Sequence, residues 1–315
     1  MHKPEKTMIM KTENPLIYIL VAATILVIYT ACKKDRIEER VLNTYESPNN
    51  YLDSKKEAEQ EFEITSDSSS GPIIGNQGTH IWGGRTCLMY PNGDSVTLPF
   101  TVKLVELYTP KQMIYYQMPT VASDTILETD GEIRLRAFKN GTELLLKPGC
   151  SWSIKMPNTT PENYMRIFYG FQTANYVNWT DNPASLGVTT SFSPIFATTT
   201  DGYLASIVKL GWINCDFKQG GSTNYQLTFA SSTDNLTNVA IFIYFPATKT
   251  VMQVYNMASG SIPTGAAVKI VAIAVNTSGQ LFSYYHNLTV SATAQLEVTM
   301  TATTDPAIEA LLNSL

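Results

Sequence analysis

Val96, Leu98, Phe100, Val102 and Leu104 put an apolar side chain at every second position. That is the repeat of a strand with one face in a core and the other in water. The pattern returns in short runs, at Ile133, Leu135 and Ala137, and at Trp152, Ile154 and Met156. Turn signals stand between the runs, among them Asn140-Gly141 and Pro148-Gly149. Short alternating strands separated by turns predict an all-β chain built as sandwiches. At Val105 and Leu107 the phase slips, which predicts a β-bulge.

The later half reads the same way with fuller burial. Residues 239–245 form an unbroken apolar run, the signature of a strand covered on both faces. Residues 268–275, 281–285 and 296–302 are further strands. A short helix closes the chain, with Asp305 as N-cap, Pro306 at the first helical position and Ile308, Leu311, Leu312 and Leu315 on one face.

The first 31 residues stand apart. Lys3, Lys6 and Lys11 precede an uncharged run over 15–31, and Ala31-Cys32 is followed at once by Lys33-Lys34. A basic start, an apolar middle and a small residue at the cut describe a signal peptide over 1–31. An uncleaved membrane helix is the runner-up, because the run is close to the roughly 17 residues needed to span a bilayer. Residues 32–72 are rich in Ser, Asn and Glu, which predicts a flexible tether with a helical turn around 55–62. With a linker over 158–161, the folded part divides into a first sandwich at 73–158 and a second, immunoglobulin- or transthyretin-like by its strand pattern, at 159–315.

The formal charge of −5 gives no clustered basic surface of the kind nucleic acid requires. Of four cysteines, Cys87 and Cys150 flank strands of the first sandwich and could form a disulfide, while Cys215 sits in an apolar strand where a buried thiol is usual.

Three resemblances bear on location. Tyr29-Thr30-Ala31-Cys32 resembles a bacterial lipobox, which implies that Cys32 carries a diacylglycerol and begins the mature chain. Cys32-Lys33-Lys34-Asp35 resembles the charged tag that sends lipoproteins of the Bacteroidota to the exterior of their outer membrane. Gly78-Thr79-His80-Ile81, Asn92-Gly93-Asp94-Ser95-Val96 and Leu144-Leu145-Leu146-Lys147-Pro148-Gly149 resemble a domain of Bacteroidota surface lipoproteins. That domain is similar in outline to the β-sandwich of ankyrins and netrin receptors. The likeness covers residues 75–157, with Trp82-Gly83-Gly84-Arg85 where those domains have an Ile-Pro-Ala-like segment. Leu210-Gly211-Trp212-Ile213-Asn214-Cys215-Asp216 resembles a motif further along the same family, which implies no activity.

The residues offer little chemistry. Outside the leader the histidines are His80 and His286, and no nucleophile elbow, zinc-protease helix or Walker loop occurs. Cys215, His286 and Asp216 could in principle form a thiol hydrolase. The spacing of His80, Cys87 and Cys150 fits no zinc site; Asp181 and Asp201 lie in loops that could meet calcium. No cofactor is expected. Trp82 and Trp179, with Trp212, could present a platform for sugar rings, although Trp212 alternates with core residues. Asp94-Ser95-Val96 and Asp124-Thr125-Ile126 resemble an O-glycosylation tripeptide of exported Bacteroidota proteins, implying modification at Ser95 and Thr125. The expectation is a non-enzymatic, lipid-anchored outer-membrane protein facing the cell exterior, with a structural, adhesive or binding role toward envelope proteins or glycans. The alternatives are a glycan-binding accessory of an uptake system and, less favoured, the thiol hydrolase.

Overall fold

The computed structural model describes residues 41–66, 71–123, 125–173, 176–189, 192–220 and 224–315. Cys32 and the leader lie outside the described residues, as does Asp124. The chain is mostly β-strand, and residues 43–315 make one compact unit.

An eight-stranded sheet forms the centre. Its path runs through Gln60–Ile64, Phe100–Leu107, Thr125–Lys139, Gly211–Lys218, Arg166–Gln172 and Val177–Thr180, with Val121–Ala122 and Thr142–Glu143 added to Thr125–Lys139. A five-stranded sheet faces it, in the order Ala197–Thr199, Gly202–Ile207, Trp152–Pro157, His80–Trp82, Ile73–Ile74. Val102, Leu104, Ile133, Leu135, Ile167, Ile213 and Cys215 fill the space between them, with Ile81, Trp152, Ile154 and Tyr203 from the opposite sheet. The turn at Asn140-Gly141 takes positive φ at both residues, 51° and 77°, as a tight hairpin requires.

The first sandwich therefore does not end at residue 158. Strands Arg166–Gln172 and Gly211–Lys218 enter the same sheet as Thr125–Lys139. The turn at 158–161 is a connection inside the sandwich, not a boundary between domains. The second sandwich is correspondingly smaller. Its five-stranded sheet runs Thr250–Gln253, Ala240–Phe245, Ala267–Val275, Leu281–Thr289, Thr301–Thr303. One face packs on Leu227, Phe229, Ile262 and Val298, residues in or beside two short strand pairs. One pair is the parallel Leu227–Ala230 with Ala294–Glu297, and the other is Asn224–Tyr225 with Ile262–Pro263.

A third core joins the two. Val105, Leu107, Leu127, Phe168 and Trp179 from the outer face of the eight-stranded sheet meet Phe242, Tyr244, Val251, Val271 and Ile273 from the second sandwich. Val105 and Leu107 thus explain the phase slip without a bulge. Pairing from Thr101 to Leu107 with Thr125–Lys139 is unbroken, and the strand is apolar on both faces because both are covered. The register shift lies instead on the other side of Thr125–Lys139, where Asn214 pairs with Glu132 and Asp216 with Thr129. Gly131, φ 116°, occupies that irregularity, and a Cβ there would fall 2.2 Å from the Tyr108 ring.

Of the stretch expected to be a flexible tether, residues 43–64 are built into the fold. Asn43 bridges Asp234 and Glu46 bridges Val275. Asn49–Ser54 is a helix that buries Leu52, and Gln60–Ile64 is an edge strand on Phe100–Leu107, so the helical turn falls earlier than 55–62. Few apolar residues were needed, because Tyr45 and Leu52 supply the burial and Asp234 the polar clasp. The closing helix runs Asp305–Asn313 with Thr304 at the cap and Ile308 and Leu312 buried, and Asp305 accepts from Tyr51 Oη at 2.8 Å.

Candidate binding face

The outer side of the five-stranded sheet is the surface that the sequence equips for contact. Alternation along its strands sends Ile81, Ile154, Met156, Tyr203 and Ala205 into the core and leaves the residues between them pointing outward. Register then aligns Ile74, His80, Lys155, Leu204 and Ala197 in one row across all five strands. A second row holds Trp82, Ser153 and Ser206. Ile74, Trp82 and Leu204 are 54%, 37% and 39% exposed. The imidazole of His80 lies 5.7 Å from the Trp82 ring, centroid to centroid, and Lys155 Nζ meets Asp201 at 2.6 Å, an ion pair that holds the Asp201 carboxyl below its ordinary range.

Gly83 fixes this arrangement from behind. A Cβ there would fall 2.1 Å from the Trp152 ring. The buried indole lies flush against the backbone just after Trp82. Apolar side chains flanked by hydroxyls, an amine and an imidazole can stack on a flat partner and hydrogen-bond its rim.

The other aromatics do not join this face. Trp179 is buried in the third core and donates Nε1–H to the Pro119 carbonyl at 2.7 Å, so its place as a ligand contact is withdrawn. Trp212 is half-buried under the Arg134 guanidinium, 5.1 Å from ring to charge. Trp179 and Trp212 share the outer face of the eight-stranded sheet, on either side of Gly170, and Trp82 stands on the other sheet, so the three make no common platform. Ser95 is exposed and Thr125 half-buried. Cys87 and Cys150 are joined in a disulfide, Cα atoms 5.4 Å apart.

The thiol-hydrolase arrangement is also overturned. Cys215 is fully buried among core side chains, where burial pushes its thiol well up, away from the reactive thiolate. His286 is exposed on Leu281–Thr289, in the second sandwich. Asp216 points away from Cys215 by strand alternation. Among the described residues no three His, Cys, Asp or Glu side chains group as metal ligands, and no helix is long and apolar enough to cross a membrane.

Sequence reasoning missed a polar row inside the molecule. Leu107, Glu132, Asn214 and Phe168 are in register across four strands of the central sheet, on the face that meets the second sandwich. Glu132, Asn214 and Asp216 are fully buried. Thr129 donates its hydroxyl to Asn214 Oδ1 at 3.0 Å, while neither carboxyl has a hydrogen-bond partner. Burial pushes both well above the carboxylate range; the Asp216 charge adds to this at Glu132, while at Asp216 the nearby Thr129 hydroxyl opposes it and Asp130 and Glu128 add to it. Glu106, also buried, differs. It accepts from the Gln77 and Thr79 amides, each at 2.9 Å, and from Gln60 Nε2 at 2.8 Å, which fastens the 75–79 loop. No signal in the period-two pattern separates such residues from solvent-facing ones.

No known protein family, curated protein or solved structure matches the chain.

Proposed function

We propose that this is an exported protein, anchored through lipid on Cys32, that binds other components of the envelope and is not an enzyme. The observation that carries this reading is the Cys87–Cys150 disulfide, because such bonds persist in oxidising compartments and are rare in the cytosol. The basic start, apolar run and Cys32 support an acylated N-terminus at an outer membrane. Ten residues lie between Cys32 and Asn43, which caps the distance between the two at about 40 Å. The test is a Cys32→Ser variant with metabolic palmitate labelling and protease shaving of intact cells. Loss of label together with retention of the leader is expected. A variant that stays membrane-bound at its normal size with the leader removed overturns the anchor.

A glycan is the partner that Trp82 favours. An exposed indole beside an imidazole and two serines suits a sugar ring, whose apolar face stacks while its hydroxyls reach polar neighbours. Quenching of tryptophan fluorescence by envelope polysaccharides tests this, and a broad glycan panel without binding removes it.

A further inference from the structure

A cleft opens in the first sandwich, about 370 Å³ in volume, within the range of small-molecule sites. Its walls are apolar and come from three separate segments: Leu145 and Leu146, Leu186 and Val188, and Val208 and Leu210. Leu145, on the rim, is 45% exposed although leucine is costly to leave in water. Lys209 sits among these side chains. Its Nζ donates to the Leu210 carbonyl at 3.3 Å and folds back over Gly211, where a Cβ would lie 3.5 Å from it. The other charged groups lining the cleft are already engaged. Glu143 faces Arg136 at 3.9 Å, and Lys147 Nζ donates to the Thr86 carbonyl at 2.9 Å. That leaves Lys209 as a half-buried ammonium group that donates to a carbonyl and makes no direct ion pair. Burial draws its pKa down, and the Glu143 carboxylate on the same cleft offsets this only in part.

We infer that this cleft is a binding site for a single-chain amphiphile with an anionic head, such as a medium-chain fatty carboxylate, the head pairing with Lys209 and the chain lying along Leu145, Val188 and Leu210. The match is one of charge and of shape. A carboxylate supplies the direct ion pair that Lys209 does not make with Glu143, and an unbranched chain covers apolar walls that no side chain covers. The inference does not depend on Cys32 being acylated or on the outward sheet face binding a glycan.

The test uses the full chain in nanodiscs of zwitterionic phosphatidylcholine, photolabelled with diazirine-bearing decanoic acid and mapped by mass spectrometry. Labels are expected on peptides containing 143–148, 186–189 and 208–211, competed by decanoate at least tenfold more effectively than by decanol. Lys209→Met, which keeps the aliphatic stem, is expected to lose at least nine-tenths of the label, whereas Lys218→Met, exposed elsewhere on the sandwich, keeps it. Val188→Trp fills the cleft with Lys209 intact and is expected to abolish labelling, so it decides the matter if Lys209→Met unfolds. Labelling spread over the surface, equal competition by decanol, or full labelling of both cleft variants overturns the site.

Discussion

Glu132 and Asp216 point the same way from neighbouring strands of the central sheet, into the layer where the two sandwiches meet, and none of their four carboxyl oxygens has a hydrogen-bond partner. Two charges could not be held there without compensation of several kcal/mol each. Burial favours the neutral form of both acids instead, and stability is thereby tied to pH.

The sign follows from linkage. Both folded-state pKa values are raised, so the stabilisation is complete below the unfolded carboxylate range and is lost as pH rises through the folded values. Wild-type stability is expected to fall as pH rises above the unfolded carboxylate range, by up to about 1.4 kcal/mol per pH unit for each proton lost. Glu132→Gln with Asp216→Asn is expected to flatten that slope. Urea midpoints across the range decide it. Parallel slopes for the two proteins would show that the acids are not the cause.

The opposite dependence is expected at Asp234. Burial works against its charge, but Tyr45 Oη at 2.5 Å, Thr233 Oγ1 at 2.7 Å and Asn43 Nδ2 at 3.0 Å donate to it and hold the carboxyl below its usual range. This contribution is present above the unfolded pKa and lost as pH falls through the folded value. Asp234→Ala should cost about 1.5–3 kcal/mol and speed amide exchange over 43–46. Unchanged protection of those amides would contradict the clasp.

Two tryptophans separate binding from folding. Trp82→Ala is expected to remove polysaccharide quenching while leaving stability within about 0.5 kcal/mol. Trp179→Ala should cost about 3–5 kcal/mol by opening the third core and leave any binding by the folded fraction intact. Equal losses of stability in the two variants would place Trp82 in the packing as well.

Gly131 admits no side chain. Its φ of 116° and the Tyr108 ring behind it both oppose a Cβ. Gly131→Ala is expected to cost more than about 2 kcal/mol, read as a lowered thermal midpoint. A wild-type midpoint would mean that the irregularity beside Glu132 tolerates rearrangement.

The strands were legible because Val102, Leu104, Ile133 and Leu135 alternate against one core. Alternation says nothing about what covers the opposite face, so Val105 and Leu107 looked like an irregularity instead of a second apolar surface. The turn after Asn158 looked like a linker because turns inside and between sandwiches use the same residues. Tyr45 and Leu52 were too sparse to lift residues 43–64 out of a polar background. Glu132 and Asp216 stood at positions that an open sheet would give to solvent, and only the docking of the second sandwich buries them. Trp82 was distinguishable because Gly83-Gly84 follows it, whereas nothing in the sequence near Trp179 records that Pro119 would cap its indole.

Glu46 pairs with Val275, and Asn43 with Asp234. A chain made from its amino end presents residues 43–46 long before Asp234 and Val275 exist. Residues 43–46 must therefore wait, unpaired, until residue 275 has been made, and the stitch they make with the second sandwich is a late act of folding.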